Sequence, residues 1–269
     1  MKQTTIVVAG LHIQTYTTDD FGSSAKPVVA LFLLHGRMGS SQDGHIQALA
    51  SGLLAASRST HNKDILVITF DQRNHGTRLV DKVYNLDFET NPNHAIDMFA
   101  IQQIVGTAKD VSFLIDFLPA YIFPHGERTV DKWGVAGISL GGHSAWLSGA
   151  FDPRIQIVIP MIGCPDYFAL IHPRAASKGI AAAPPHFPAT FVKVVRDNSP
   201  KVAQFEGKRV LVLSGEIDRL VPWGASESFV GQLKSVPGQK QVVVLPGVGH
   251  EIPDEMVRRA VEFVVPELE

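Results

Sequence analysis

The stretch Trp133-Gly134-Val135-Ala136-Gly137-Ile138-Ser139-Leu140-Gly141-Gly142-His143 decides the fold. Its first part belongs to an apolar run, Val130 to Ala136, of strand length. Its last part opens a segment, Leu140 to Ala150, that reads as a helix. Between them stands Gly-x-Ser-x-Gly at Gly137, Ser139 and Gly141. The spacing has a steric cause. A serine at a sharp strand-to-helix turn has a strained backbone, and the residues two places away must lack side chains to avoid collision. The turn lifts the hydroxyl clear of the strand and aims the following amides at it.

Outward from this turn the chain alternates. Val28 to Leu34, Ile65 to Phe70, Ile155 to Ile159, Val210 to Leu213 and Val242 to Leu245 are apolar runs rich in β-branched residues. Such runs fit strands covered on both faces, as in a parallel sheet. Thr4 to Thr17 reads as an antiparallel pair broken near Gly10. Helical periods lie between the strands. Ile101, Ile104, Val105, Ala108, Val111, Ile115 and Leu118 form one stripe, predicting a single helix that ends before Pro119. Met256, Val257, Ala260 and Val264 form another over 254–264. Strands alternating with helices predict an α/β fold with a mostly parallel central sheet, built as one domain over 1–269.

One segment breaks the alternation. Residues 163–207 hold no clean strand but six prolines: Pro165, Pro173, Pro184, Pro185, Pro188 and Pro200. About 40 residues exceed an ordinary αβ connection. The segment is expected to lie over the sheet's edge as a cap or lid insertion.

Serine needs a base to become a nucleophile. Of eleven histidines, His250 is best placed, on the glycine-rich loop between the last strand and the last helix. Sites in open parallel sheets gather at that C-terminal edge. The imidazole needs a carboxylate to fix its tautomer. Asp218, just after the preceding strand, serves; Glu216 and Asp166 are alternatives. The oxyanion needs donors as well. The Leu140 amide is one expected donor. The other comes from the loop Leu34-His35-Gly36-Arg37-Met38-Gly39-Ser40: the amide of Arg37, with Met38 as the fallback. The Arg37 side chain could also meet a substrate carboxylate. Phe168, Leu170, Ile171, Phe187 and Phe191 are expected to wall an acyl or alcohol pocket, with Met38 and Phe168 and Phe187 as substrate contacts.

These motifs resemble the α/β-hydrolase superfamily, nearest its small esterase and peptidase-like serine hydrolases. Ser139, Asp218 and His250 follow the chain order of that fold. Asp71-Gln72-Arg73-Asn74-His75-Gly76 resembles its Asp-x-Arg-Gly-His-Gly loop, with Asn74 at the usual glycine. Arg73 and His75 are read as scaffold or pocket rim. The resemblance covers nearly the whole chain outside 163–207. It implies an α/β-hydrolase fold, a central sheet of about eight strands with flanking helices, and hydrolysis through a covalent acyl-enzyme. The expected activity is a serine carboxylesterase acting on a small, partly apolar ester. A thioesterase, peptidase or acyltransferase would use the same triad, and a non-catalytic small-ligand-binding protein could use the same fold.

Composition narrows the rest. The 269 residues are 45% hydrophobic and 19% charged, a globular balance. Twenty-four Lys+Arg against 26 Asp+Glu give a formal charge of −2, which argues against a nucleic-acid partner or an anionic membrane surface. No apolar run is long enough to span a bilayer. The N-terminus makes a poor signal peptide, and Cys164 cannot form an internal disulfide. A cytoplasmic monomer or homodimer is expected. His250-Glu251 lacks the second histidine of a zincin, Gly207-Lys208-Arg209 is not a P-loop, and no dinucleotide fingerprint follows the first strand. The expectation is therefore no metal and no cofactor. Cys164 is read as a small buried hydrophobe.

Overall fold

The structure, a computed structural model, describes residues 1–57, 60–102, 106–234 and 239–269. Its strands are β1 (Lys2–Val8), β2 (Leu11–Thr17), β3 (Val28–Leu34), β4 (Asp64–Phe70), β5 (Val130–Ile138), β6 (Ile155–Met161), β7 (Arg209–Gly215) and β8 (Lys240–Leu245). They form one sheet in the order β1-β2-β4-β3-β5-β6-β7-β8. β2 pairs antiparallel with both neighbours, and every other pairing is parallel.

Strand β3 shows why the sheet is double-covered. All seven of its residues are buried. Val28, Ala30, Phe32 and Leu34 face one way, into a core shared with α3 (Thr107–Ile122) and α4 (Leu140–Phe151), including Val111, Leu114 and Trp146. Val29, Leu31 and Leu33 face the other way, into a core with α1 (Gly44–Ala56) and α8 (Asp254–Val264), including Ile46, Leu49, Met256 and Phe263. The period of two along a continuous apolar strand thus divides it between two hydrophobic layers.

The expected long helix is instead two. α2 (His94–Gln102) carries Ile101, whereas Ala108, Val111, Ile115 and Leu118 lie on the buried face of α3. Ile104 and Val105 lie outside the described residues. Gly106, at φ −110° and ψ −135°, is not helical, and a side chain there would sit 2.1 Å from the Ile101 carbonyl oxygen. Nor does α3 stop before Pro119. It runs to Ile122, and the Phe123 amide donates to the Pro119 carbonyl at 2.8 Å. Proline in a last turn forfeits its own bond while its fixed φ remains helical.

Residues 163–207 form α5 (Tyr167–Ser177) and α6 (Ala189–Asp197). They share a third core, apart from the two beside the sheet, in which Tyr167, Ile171, Phe187 and Phe191 pack on Phe88, Ala95 and Phe99. This core is thus built from two chain segments, because Phe88 from the loop before α2, and Ala95 and Phe99 from α2, pack with the residues of 163–207. α7 (Gly224–Gln232) precedes β8.

Candidate active site

The strand order sets the site. Leaving β3, the chain goes to β4 on one side, while β5 lies on the other. The loops that follow β3 and β5 therefore diverge at adjacent strand ends, where α/β sheets hold ligands. Leu34 pairs with Gly137, which brings the His35-Gly36 loop against the serine turn. A side chain at Gly36 would lie 3.8 Å from Ser139 Cβ.

Ser139 has φ 54° and ψ −110°, a strained conformation for a residue other than glycine. Its neighbours show what the strain requires. A Cβ at Gly137 would stand 2.0 Å from the Gly141 carbonyl oxygen, and one at Gly141 would stand 2.1 Å from the Leu34 carbonyl oxygen. The turn is pinned by Ser139 N–H donating to Met161 O (2.9 Å) and His143 N–H donating to Ser139 O (2.9 Å).

Three side chains far apart in sequence meet here. Ser139 Oγ donates to His250 Nε2 at 2.9 Å. His250 Nδ1–H donates to Asp218 Oδ2 at 2.7 Å. Asp218 Oδ1 accepts the amides of Leu220 and Val221, each at 2.8 Å. The Asp218 side chain is wholly buried. Burial alone would raise its carboxyl pKa, but the His250 bond and the two amides outweigh it and hold the group below the usual carboxylate range. The alternative acids are used elsewhere. Asp166 caps α5, accepting the Ala169 amide at 3.0 Å. Glu216 accepts the Gly247 amide at 2.9 Å and so tethers the histidine loop.

The loop after β3 is braced by buried hydrogen bonds and ion pairs. His35 accepts the Gln72 amide at Nε2 (3.0 Å) and donates from Nδ1 to the Gly36 carbonyl (2.7 Å). Burial pushes its pKa down to about 4. Asp71 accepts from the amides of Ser41 and Thr77, each at 2.7 Å. Arg73 and Arg78 both pair with Asp110, and Asn74 takes φ 58°, the left-handed region that glycine would favour. His75 is buried, its Nδ1 within 2.9 Å of the Arg73 carbonyl. The scaffold reading of Arg73 and His75 fits these contacts.

A narrow cleft opens over Ser139, with about 20 Å³ free to a water-sized sphere. A larger cavity, about 590 Å³, lies beside the β1–β2 hairpin and touches no member of the Ser139–His250–Asp218 group, so size does not mark the site. Leu170 and Ile171 line the cleft with Tyr167, as expected of the insertion. Phe187 does not: only 2% exposed, it lies inside the third core with Phe88 and Phe191. Phe168 stacks on His172, with ring centroids 4.7 Å apart. Met38 is 58% exposed, at φ 66° on the His-Gly loop.

Sequence reading missed three features of the cleft. Met98 and Gln102 reach it from α2. His143, in the first turn of α4, is buried; its Nδ1 accepts the Cys164 amide at 2.8 Å, and burial pushes its pKa down to about 3, so it is a neutral wall. Arg174 follows Tyr167, Leu170 and Ile171 at i, i+3, i+4 and i+7. That stripe was the available signal, since an arginine on the apolar face of a helix is unusual. Cys164 is buried and its thiol is pushed up to about 12 by burial, which suits a packing role.

The chain has the α/β-hydrolase fold. Three solved structures illustrate the likeness. The TT1662 protein of Thermus thermophilus superimposes with a TM-score of 0.75 at 22% identity, over 100% of this chain and 99% of its own. Est1E of Butyrivibrio proteoclasticus, with ferulic acid bound, gives 0.63 at 20% identity over 98% of both chains. A cold-adapted esterase from an Arctic intertidal metagenomic library gives 0.60 at 19%, over 99% of this chain and 93% of its own. No protein-family model and no curated protein sequence matches the chain. Within this α/β-hydrolase fold, no described helix is long and apolar enough to cross a membrane. Among the described residues no group of three His, Cys, Asp or Glu side chains converges as a metal site.

Proposed function

We propose that the protein is a serine hydrolase that cleaves a small, partly apolar carboxylic ester. The observation that carries this reading is the continuous hydrogen-bonded chain from Ser139 Oγ through His250 to buried Asp218, set at a strained strand-to-helix turn. A binding protein would gain nothing from holding a serine at that backbone cost. The esterase among the similar structures accords with this reading, which rests on the geometry of the triad.

In the proposed reaction Ser139 Oγ bonds to the ester carbonyl carbon while its proton passes to His250 Nε2. Asp218 holds the Nδ1–H tautomer and stabilises the imidazolium. The tetrahedral oxyanion is held by the amides of Leu140 and Arg37. Among the described residues neither amide donates to a protein acceptor, and their loops meet at Gly36 and Ser139. Collapse breaks the carbon–oxygen bond to the alcohol, which leaves with the proton from His250. Water, deprotonated by His250, then attacks the acyl-enzyme carbonyl and releases the acid and free Ser139. The 163–207 segment acts as a cap, its Leu170 and Ile171 packing on the bound ester.

A fluorophosphonate should label Ser139 at one equivalent per chain. Ser139→Ala should abolish labelling and lower the turnover of p-nitrophenyl esters by roughly five to six orders of magnitude. Resistance of the folded protein to the label would reject the mechanism.

A further inference from the structure

Two arginines face the cleft over Ser139. Arg37 arrives on the loop after β3 and Arg174 on the apolar stripe of α5. Each is held by a backbone carbonyl: Arg37 Nη1 donates to Asn85 O at 3.1 Å, and Arg174 donates to Leu220 O through Nε (3.1 Å) and Nη2. A carbonyl orients a guanidinium without neutralising it. Among the described residues no carboxylate oxygen comes within 4.0 Å of either one. The carboxylates that act on them from a distance are exposed Asp87 for Arg37, and Asp218 for Arg174, already committed to His250. None of the described residues lining the cleft is an acid.

That arrangement is costly in the free protein. Burial lowers the pKa of both guanidiniums, and the positive charge of Arg37 lowers that of Arg174 further. Other partly buried arginines of the chain are paired, as Arg128 is with Asp64 and Arg209 with Glu267. A guanidinium presents a planar fork of N–H donors that matches carboxylate and phosphate oxygens. Two such forks, fixed but uncompensated, form an anion receptor beside the nucleophile.

Building on the hydrolase reading, we infer that Arg37 and Arg174 select an anionic ester, one that carries a carboxylate or phosphate near the scissile bond. The apolar wall of Leu170 and Ile171 takes the intervening methylenes. The ester carbonyl meets Ser139 while the oxyanion of the acidic group bridges the two guanidiniums. The reaction then releases products that together carry one more negative charge than the substrate.

The test compares monoethyl succinate with ethyl isocaproate, its neutral isostere. The acidic ester should have the higher kcat/KM in the wild type, and the ratio should fall with added salt. Arg174→Gln should lower that ratio about tenfold or more, mainly through KM, and Arg174→Lys should restore part of it. Preference for the neutral ester in the wild type, or a ratio unmoved by Arg174→Gln in a folded variant, overturns the proposal. Calorimetry on Ser139→Ala separates this from failure of the chemistry. Monoethyl succinate should bind that variant and lose its affinity when Arg174→Gln is added, whether or not the wild type turns over an ester. Equal affinity with and without Arg174 also overturns it. Competition by succinate or by inorganic phosphate tells which oxyanion the pair prefers.

Discussion

The loops that carry the serine and the histidine are built on opposite terms. The serine follows β5, in the middle of the sheet, and its turn is locked by backbone contacts at Gly137, Gly141 and Gly142 that leave no space for a methyl group. The histidine follows β8, an edge strand whose residues are all at least partly exposed. There Gly247 and Gly249 have open space around them. What fixes that loop is a set of tethers: the Glu216 carboxylate on the Gly247 amide, the Ile217 amide on the Val248 carbonyl, and Asp218 on His250. The nucleophile's turn is positioned by close packing on itself; the base's loop is held by hydrogen bonds and by the contact of its Val248 and Gly249 carbonyls with Gly215. A hydroxyl on a packed turn cannot drift, whereas an imidazole on an edge loop depends on its partner.

Among changes that leave the serine in place, the largest effect should come from removing the tether that also sets the tautomer. Asp218→Asn should cost about 10⁴ in turnover, because the amide favours the wrong imidazole tautomer. Ester hydrolysis kinetics check it, and a loss under tenfold would mean that packing alone holds His250. The contrast between the loops is then read from two alanines. Gly141→Ala should destabilise the protein by about 3 kcal/mol or prevent folding, since its methyl meets the Leu34 carbonyl. Gly249→Ala should stay within about 0.5 kcal/mol of wild type in urea unfolding. Equal effects at the two positions would erase the distinction.

A smaller, pH-dependent effect should sharpen it. His35 and His143 brace the serine side as buried neutral imidazoles, with burial pushing them down to about 4 and about 3. In the unfolded chain each regains a value near 6.5. A histidine whose folded pKa is depressed contributes stability that is full above its unfolded pKa. That contribution is lost as protons bind the unfolded chain at lower pH. The urea midpoint should therefore fall steadily from pH 7 to about pH 4.5, before most carboxylates titrate. A flat midpoint over that window would mean these rings are solvated or charged in the native state.

Much of this was legible in the chain. Val28 to Leu34 and its fellow runs announced doubly covered strands, because only a residue buried on either side of a sheet can be apolar at every position. Gly137, Ser139 and Gly141 announced the turn, because a strained serine dictates what its neighbours can be. The apolar stripe over 101–118 misled because it spans two helices, and a shared apolar period cannot reveal that Gly106 leaves helical geometry. The phenylalanines of the insertion misled in another way. Hydrophobicity says that Phe187 is covered, and it is covered by Phe88 and Phe191 within the third core.

The sequence by itself determined the alternating α/β order, the serine turn and the order in which nucleophile, acid and base occur, because each is a local pattern of period or spacing. Only the tertiary structure decided that Asp218, and neither Asp166 nor Glu216, faces His250. Only the structure decided that Arg37 and Arg174, 137 positions apart, share one cleft without a counter-charge. Partnership between distant charges is a property of how elements pack, and no local pattern records it.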